Sequence, residues 1–282
     1  MDLLSRKPPI ADHRLPYGPG KSQFGDLWLP AQHGKAPLIV FLHGGWWKSE
    51  YDLSYGGHLC SALRSQGVAV WSIEYRRVGA TGGGWPNTFA DVAQAYDHIA
   101  TLARTYPLDL ARVVAAGHSA GGHLAFWLAG RHHIFAGSPI QLPEPTIPLH
   151  GLVSLAGAVS LQLTVDLSGH LTFAHDKQEV YQLMAGTPAD HPDRYLAADP
   201  GHLLPFNIPQ ILLQGAEDDQ IPPDLPRRWA EKARSLGDQV TVSLLPGTDH
   251  FDLVDPESKA WPTVQRAILH LLEPAPHQHG TV

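Results

Sequence analysis

Arg112-Val113-Val114-Ala115-Ala116-Gly117-His118-Ser119-Ala120-Gly121-Gly122-His123 decides how the rest of this 282-residue chain is read. Val113 to Ala116 is an apolar run without alternation, the pattern of a strand covered on both faces. It runs straight into Gly117-His118-Ser119-Ala120-Gly121, a G-x-S-x-G sequence, and a helical pattern from Ala120 to Leu128 leaves it. A Gly/Ser turn alone could match those five positions. The strand before and the helix after give the match its weight, because together they make a turn that lifts the Ser119 hydroxyl above the sheet. The turn is tight, so its neighbours must lack bulk, as Gly117, Ala120 and Gly121 do. The hydroxyl then stands at a helix N-terminus, where the dipole favours developing negative charge.

Working outward, similar short runs recur. Leu38–Leu42, Val68–Ile73, Gly151–Leu155, Ile211–Leu213 and Val240–Leu244 read as further buried strands, and Leu27–Leu29 as an antiparallel edge strand. Helical patterns lie between them: Ser54–Ser65, a segment from Thr88 to Leu102 opened by the capping-box sequence Thr88-Phe89-Ala90-Asp91, Arg227–Leu236 with Gly237 as its cap, and Trp261–Leu272. Strand and helix in alternation predict an α/β fold, a doubly wound, mostly parallel sheet in a single domain over residues 1–282. Residues 156–208 break the rhythm, with a helix over Lys177–Met184, and read as a small cap insertion over the carboxyl ends of the strands. The Pro/Gly/His-rich ends, 1–20 and 274–282, read as loose.

Two further loops follow strands at the same rim. His43-Gly44-Gly45-Trp46-Trp47 comes after Leu38–Leu42 and suits an oxyanion hole, because paired glycines let backbone N–H groups approach a substrate. The expected donors are the amides of Gly45 and Trp46 with that of Ala120; the choice among Gly44, Gly45 and Trp46 stays open. After Ile211–Leu213 come three acids, Glu217, Asp218 and Asp219, of which Asp218 has the preferred spacing from Gly215 and Pro222. After Val240–Leu245 comes His250. The order Ser119, Asp218, His250 gives a nucleophile, an orienting carboxylate and a general base; His250 is expected to open the last helix. Trp46, Trp47, Trp85, Phe173, Tyr181 and Phe206 are candidate pocket walls. Trp47, Trp85, His118 and His123 are the preferred substrate-binding residues.

Composition narrows the alternatives. The net charge is −7 and no Lys/Arg run exists to follow a phosphate backbone, so nucleic acid is not an expected partner. The lone Cys60 cannot form an internal disulfide and reads as a small core residue. No signal-peptide pattern and no apolar run of membrane length occur, so a cytoplasmic protein without membrane attachment is expected. The 18 histidines raise metal binding, yet there is no His-Glu-x-x-His, and the adjacent His132 and His133 face different ways on a helix, while His277 and His279 lie in the tail. Neither a metal nor a cofactor is expected.

His43-Gly44-Gly45-Trp46-Trp47 fits the H-G-G-x-W motif of kynurenine formamidases (arylformamidases) and allied esterases. The elbow through Gly122-His123 resembles theirs, as do Glu74-Tyr75-Arg76-Arg77, Gly83-Gly84-Trp85-Pro86 and Gly186-Thr187-Pro188, so the resemblance covers most of residues 25–272. It implies the α/β-hydrolase fold, no cofactor, and hydrolysis of a small-molecule ester or N-formyl aryl amide through an acyl-enzyme; a homodimer is left open. Ser160 departs from the pattern, since relatives often carry Asp after an Ala-Gly-Ala-Val sequence. A serine peptidase of the same fold usually adds a gating domain, for which there is no room. A non-catalytic ligand-binding homologue typically loses the Ser or the His, and both are present here.

Overall fold

Eight strands form one sheet in the computed structural model, which describes residues 3–143, 145, 147–168 and 176–273. Phe173, His277, His279 and the expected loose end at 274–282 lie outside the described residues. The strands are β1 (His13–Pro16), β2 (Phe24–Trp28), β3 (Ala36–Leu42), β4 (Ala69–Ile73), β5 (Leu108–His118), β6 (Gly151–Leu155), β7 (Gln210–Gly215) and β8 (Val240–Leu245). They lie in the order β1-β2-β4-β3-β5-β6-β7-β8, parallel from β4 to β8 and antiparallel where β2 meets β1 and β4.

Side chains alternate across the sheet, so β3 sends Leu38, Val40 and Leu42 into one apolar layer and Ile39 and Phe41 into the other. The helices are α1 (Gly57–Ser65), α2 (Asn87–Asp97), α3 (Ile99–Leu102), α4 (Ala120–Gly130), α5 (Leu161–Asp166), α6 (Asp176–Met184), α7 (Pro192–Ala198), α8 (Leu225–Ser235) and α9 (Trp261–Leu271). The first layer is closed by Phe89 and Val92 of α2, Leu124 and Trp127 of α4, and Trp229 of α8; the second by Leu59 and Cys60 of α1 and Val264 and Ile268 of α9. This two-sided cover is why the parallel strands carry unbroken apolar runs. Every residue of α4 is buried, so it shows no polar stripe. Each of its large apolar side chains contributes about 1.5–3 kcal/mol by leaving water.

Three expectations are corrected. Leu27–Leu29 is not the sheet edge: β2 is the second strand, and β1, from the segment expected to be loose, lies outside it. Arg14 of β1 forks onto the Asp26 carboxylate at 2.7 and 2.8 Å, the Tyr17 hydroxyl donates to the Glu74 carbonyl at 2.7 Å, and Leu3 is buried. The capping box at Thr88 does not form. α2 starts one residue earlier, the Thr88 hydroxyl bonds the Gly84 amide and the Arg76 carbonyl, and Asp91 receives Arg76 and Gln23. His250 precedes a single 3₁₀ turn, Asp252–Val254, and the last helix begins only at Trp261.

Between β6 and β7 the chain forms α5, α6 and α7. Ser160 caps α5, accepting from Leu163 N at 3.2 Å and donating to Asp199 Oδ2 at 3.1 Å. An aspartate at 160 would face that buried carboxylate. Among the described residues no helix is long and apolar enough to cross a membrane.

Candidate active site

Ser119 joins the end of β5 to the start of α4 with φ +54° and ψ −123°, a conformation that costs strain for any residue with a Cβ. The surroundings hold it there. Ser119 N donates to the Leu155 carbonyl at 3.0 Å, and its own carbonyl accepts from Gly122 N at 2.9 Å and Ala158 N at 3.0 Å. A Cβ at Gly117 would lie 2.1 Å from the Gly121 oxygen, and one at Gly121 would lie 2.0 Å from the Leu42 oxygen, so neither position admits a larger residue.

The loops after β7 and β8 bring Asp218 and His250 together. His250 Nδ1 lies 2.8 Å from Asp218 Oδ2. A carboxylate can only accept, so Nδ1 carries the proton and Nε2 is left as a base. Asp218 is itself fixed: Oδ1 accepts from Gln220 N and Ile221 N, both at 2.8 Å, and Oδ2 also accepts from Gln214 Nε2 at 2.8 Å. Glu217 and Asp219 are exposed, which settles which of the three acids faces the histidine. Ser119, Asp218 and His250 are all at least 95% buried.

Ser119 and His250 share a cavity of about 160 Å³ with Gly45, Trp46, Tyr51, Tyr55, His118, Gln220, Phe251 and Leu4. A larger groove, about 1170 Å³, opens at the opposite rim beside Asp109, Gln210 and Val240, where strands begin. Sheets of this kind bind ligands at the carboxyl ends of their strands, so the smaller cavity is the candidate.

The loop after β3 folds with Gly45, Trp46 and Trp47 all at positive φ (+102°, +51°, +56°). The amides of Gly45, Trp46 and Ala120 have no acceptor among the described residues. The amide of Gly44, another candidate donor, is taken: it donates to Tyr55 Oη at 2.6 Å. Behind the loop, His43 stacks on Tyr75 with ring centres 4.5 Å apart, its Nε2 lies 3.1 Å from Glu74 Oε1, and the Tyr75 hydroxyl donates to the His43 carbonyl at 2.8 Å. Burial disfavours the Glu74 charge, but His43, Arg77 and the Tyr75 amide outweigh it and hold the carboxyl below its usual range.

Of the four preferred binding residues, three are placed otherwise than expected, and only His118 lines the cavity. Trp47 is wholly buried, edge-on to His123 in the core. Trp85 packs on Phe89 away from the cavity. His123 donates from Nε2 to the Ala198 carbonyl at 2.9 Å, tying α4 to the end of α7. His118 borders the cavity, but both of its nitrogens are engaged by protein groups, Tyr55 Oη at 2.8 Å and the His250 carbonyl at 3.0 Å. Phe206 lies in the core against Phe126 and Trp229, and Tyr181 packs half-buried on the same layer. The walls that sequence reasoning missed are Tyr51, Tyr55, Gln220, Phe251 and Leu4. Gln220 and Phe251 adjoin the acid and the base in sequence and could have been found that way; Leu4 carried no signal. Among the described residues no group of three His, Cys, Asp or Glu could hold a metal ion.

The BD-FAE family matches residues 26–232. The chain belongs to the BD-FAE family. The BD-FAE match includes Ser119 and Asp218, and His250 lies beyond its end. Esterase LipC of Mycobacterium tuberculosis is 29% identical over 92% of this chain and 64% of its own length. A probable isoprenylcysteine alpha-carbonyl methylesterase of Arabidopsis thaliana is 24% identical over 87% of this chain, which spans about half (52%) of that relative. Kynurenine formamidase of Drosophila melanogaster is 24% identical over 89% of this chain and 78% of its own length. Among solved structures, esterase B of Lactobacillus rhamnosis superposes with a TM-score of 0.78 at 18% identity, covering 94% of this BD-FAE chain and 87% of the other. A bacterial heroin esterase gives 0.75 at 21% identity, covering 93% and 84%. The fold is the α/β-hydrolase fold.

Proposed function

We propose that the chain is a serine hydrolase that cleaves carboxylic esters with short acyl groups through an acyl-enzyme. The observation that carries this reading is the 2.8 Å contact of His250 Nδ1 with Asp218 Oδ2 beside a cavity that holds both His250 and Ser119. Esterases and formamidases among the relatives support it.

In this reading His250 Nε2 takes the Ser119 proton as Oγ attacks the ester carbonyl. The carbonyl π electrons move onto oxygen, and the amides of Gly45, Trp46 and Ala120 receive that oxyanion. The imidazolium formed on His250 is balanced by Asp218. As the intermediate collapses, the C–O bond to the alcohol breaks and His250 returns the proton to the leaving oxygen. Water then enters, loses a proton to His250 as it attacks the acyl carbonyl, and as the second intermediate collapses the bond from the acyl carbon to Ser119 Oγ breaks, His250 returns the proton to Oγ and the acid leaves. The cavity is well below the size of drug-sized pockets, about 300–1000 Å³, which supports a short acyl group.

N-formyl aryl amides are a second reading, supported by the same small cavity, since formyl is the smallest acyl group, and by the formamidase relatives. p-Nitrophenyl acetate and N-formylkynurenine are assayed side by side with a fluorophosphonate label. Ester turnover and labelling that both vanish in Ser119→Ala are the expected result. Labelling that persists in that variant, or no turnover of either substrate class by the folded protein, overturns the assignment.

A further inference from the structure

Along one wall of the cavity, buried groups form a hydrogen-bonded chain that acyl transfer does not itself require. Gly44 N–H donates to Tyr55 Oη at 2.6 Å, Tyr55 Oη lies 2.8 Å from His118 Nδ1, and His118 Nε2 lies 3.0 Å from the His250 carbonyl oxygen. A carbonyl only accepts, so Nε2 carries the ring proton. Nδ1 of the neutral ring then accepts, and Tyr55 donates to it while accepting from Gly44. Every donor in the chain has one acceptor. His118 is 1% exposed, and neither ring nitrogen is free to act as a base.

The chain joins three loops that are distant in sequence. Gly44 belongs to the loop after β3 that presents the Gly45 and Trp46 amides. His118 is the last residue of β5, bonded covalently to Ser119. His250 belongs to the loop after β8. The His118 ring stands 4.6 Å from the His250 ring, and the Tyr55 ring meets the His118 ring edge-on at 5.6 Å.

We propose that His118 is a positioning residue for the reaction: through Tyr55 it sets the oxyanion loop, and through the His250 carbonyl it sets the base, both against the nucleophile beside it in the chain. This rests on the roles given above to Ser119, His250 and the Gly45 and Trp46 amides. Groups that act only when held within a fraction of an ångström lose rate steeply when a loop drifts, about 100-fold for 1 Å. Tyr55 and His118 border the cavity, but their polar atoms are engaged by protein groups, so the loss is expected to fall on kcat.

The test is a double-mutant cycle on ester turnover with Tyr55→Phe and His118→Leu, with His118→Gln as the conservative variant and Ser119→Ala alongside. Each single variant is expected to lower kcat about tenfold or more, with KM within about twofold. The double variant should lose no more than the worse single one, because either change breaks the same chain. His118→Gln offers one donor and one acceptor, as the neutral ring does, and should recover kcat to within about threefold of wild type. Additive losses, a loss confined to KM, or wild-type kcat in Tyr55→Phe overturns the inference. If His118→Leu does not fold, Tyr55→Phe and His118→Gln decide it: a kcat loss in the first with recovery in the second supports it, and any other pairing overturns it. Turnover that survives in Ser119→Ala refutes the reaction itself; an inert Ser119→Ala with an additive cycle refutes this inference alone.

Discussion

Asp218→Asn tests the histidine's orientation, and the structure fixes what the new amide must do. The two backbone donors Gln220 N and Ile221 N converge on Oδ1 at 2.8 Å, so the amide oxygen has to stay there. Turning the amide round would set its NH₂ against two N–H groups and leave both unsatisfied, at about 1–3 kcal/mol each. The NH₂ therefore takes the place of Oδ2, 2.8 Å from His250 Nδ1. It donates to Nδ1, and a neutral imidazole with Nδ1 as acceptor carries its proton on Nε2, where it cannot take one from Ser119. A wrong tautomer in an otherwise intact triad lowers kcat about 10⁴-fold, or about 5 kcal/mol at 1.36 kcal/mol per decade. Gln214 Nε2 also faces the new NH₂ and loses a bond, so a modest fall in melting temperature accompanies the loss. The measurement is kcat for p-nitrophenyl acetate, with Asp219→Asn as comparison; Asp219 is exposed, and its variant should stay within about twofold of wild type. A folded Asp218→Asn that keeps more than a tenth of wild-type kcat, or a greater loss in Asp219→Asn, refutes the reasoning.

Two further outcomes are expected. A Cβ on Gly44 would lie 2.7 Å from the Ser119 Cβ and 2.9 Å from the His118 oxygen, so Gly44→Ala should push the oxyanion loop off the nucleophile and lower kcat at least about tenfold, read by ester turnover on protein with native circular dichroism. Burial lowers His123 from 6.5 to about 4, so the unfolded chain binds a proton there before the folded one does, and stability is lost as pH falls from 6.5 through 4. That loss is about 2 kcal/mol between pH 8 and pH 5 and about 3 kcal/mol below pH 4; urea melts of wild type and His123→Gln should show the variant's stability falling less by that amount, and parallel curves would disprove it. His118, held well below its ordinary value by burial and by His250, adds a loss of the same sign that this variant leaves in place.

The sheet was legible because its central strands are covered on both faces, which leaves continuous apolar runs such as Leu38–Leu42 and Gly151–Leu155. β1 was not, because a four-residue edge strand with mostly exposed side chains has no apolar pattern; Asp26, across the ladder, is what holds Arg14 in place. The elbow could be read because backbone sterics restrict residue types there, and Asp218 could be preferred on its spacing from Gly215 and Pro222, the spacing associated with the acid position of this fold. Which of the candidate donor amides is already engaged could not, since it turns on Tyr55, eleven residues further on, claiming the Gly44 amide. Aromatic walls were the hardest. Trp46 and Trp47 share a left-handed turn, and one ring faces the cavity while the other is wholly buried, a difference that tertiary packing makes and residue type does not.

The distribution of charge around the site favours a transition state in which charge separates. In the proposed reaction Asp218 stands at one end, and at the other the amides of Gly45, Trp46 and Ala120, which have no acceptor among the described residues, would receive the negative oxygen. His118 lies between, and the whole arrangement depends on its staying neutral. Two unit charges at the 4.6 Å spacing of its ring from that of His250 would repel by about 4 kcal/mol at an effective dielectric constant of about 20. An imidazolium at 118 would thus oppose the imidazolium that the proposed reaction forms on His250. Burial and the neighbouring His250 hold the His118 pKa well below its ordinary value, and the donor from Tyr55 gives the neutral ring a partner for the nitrogen that would otherwise seek a proton. The bonds that fix the loops also keep a competing positive charge from forming beside the base.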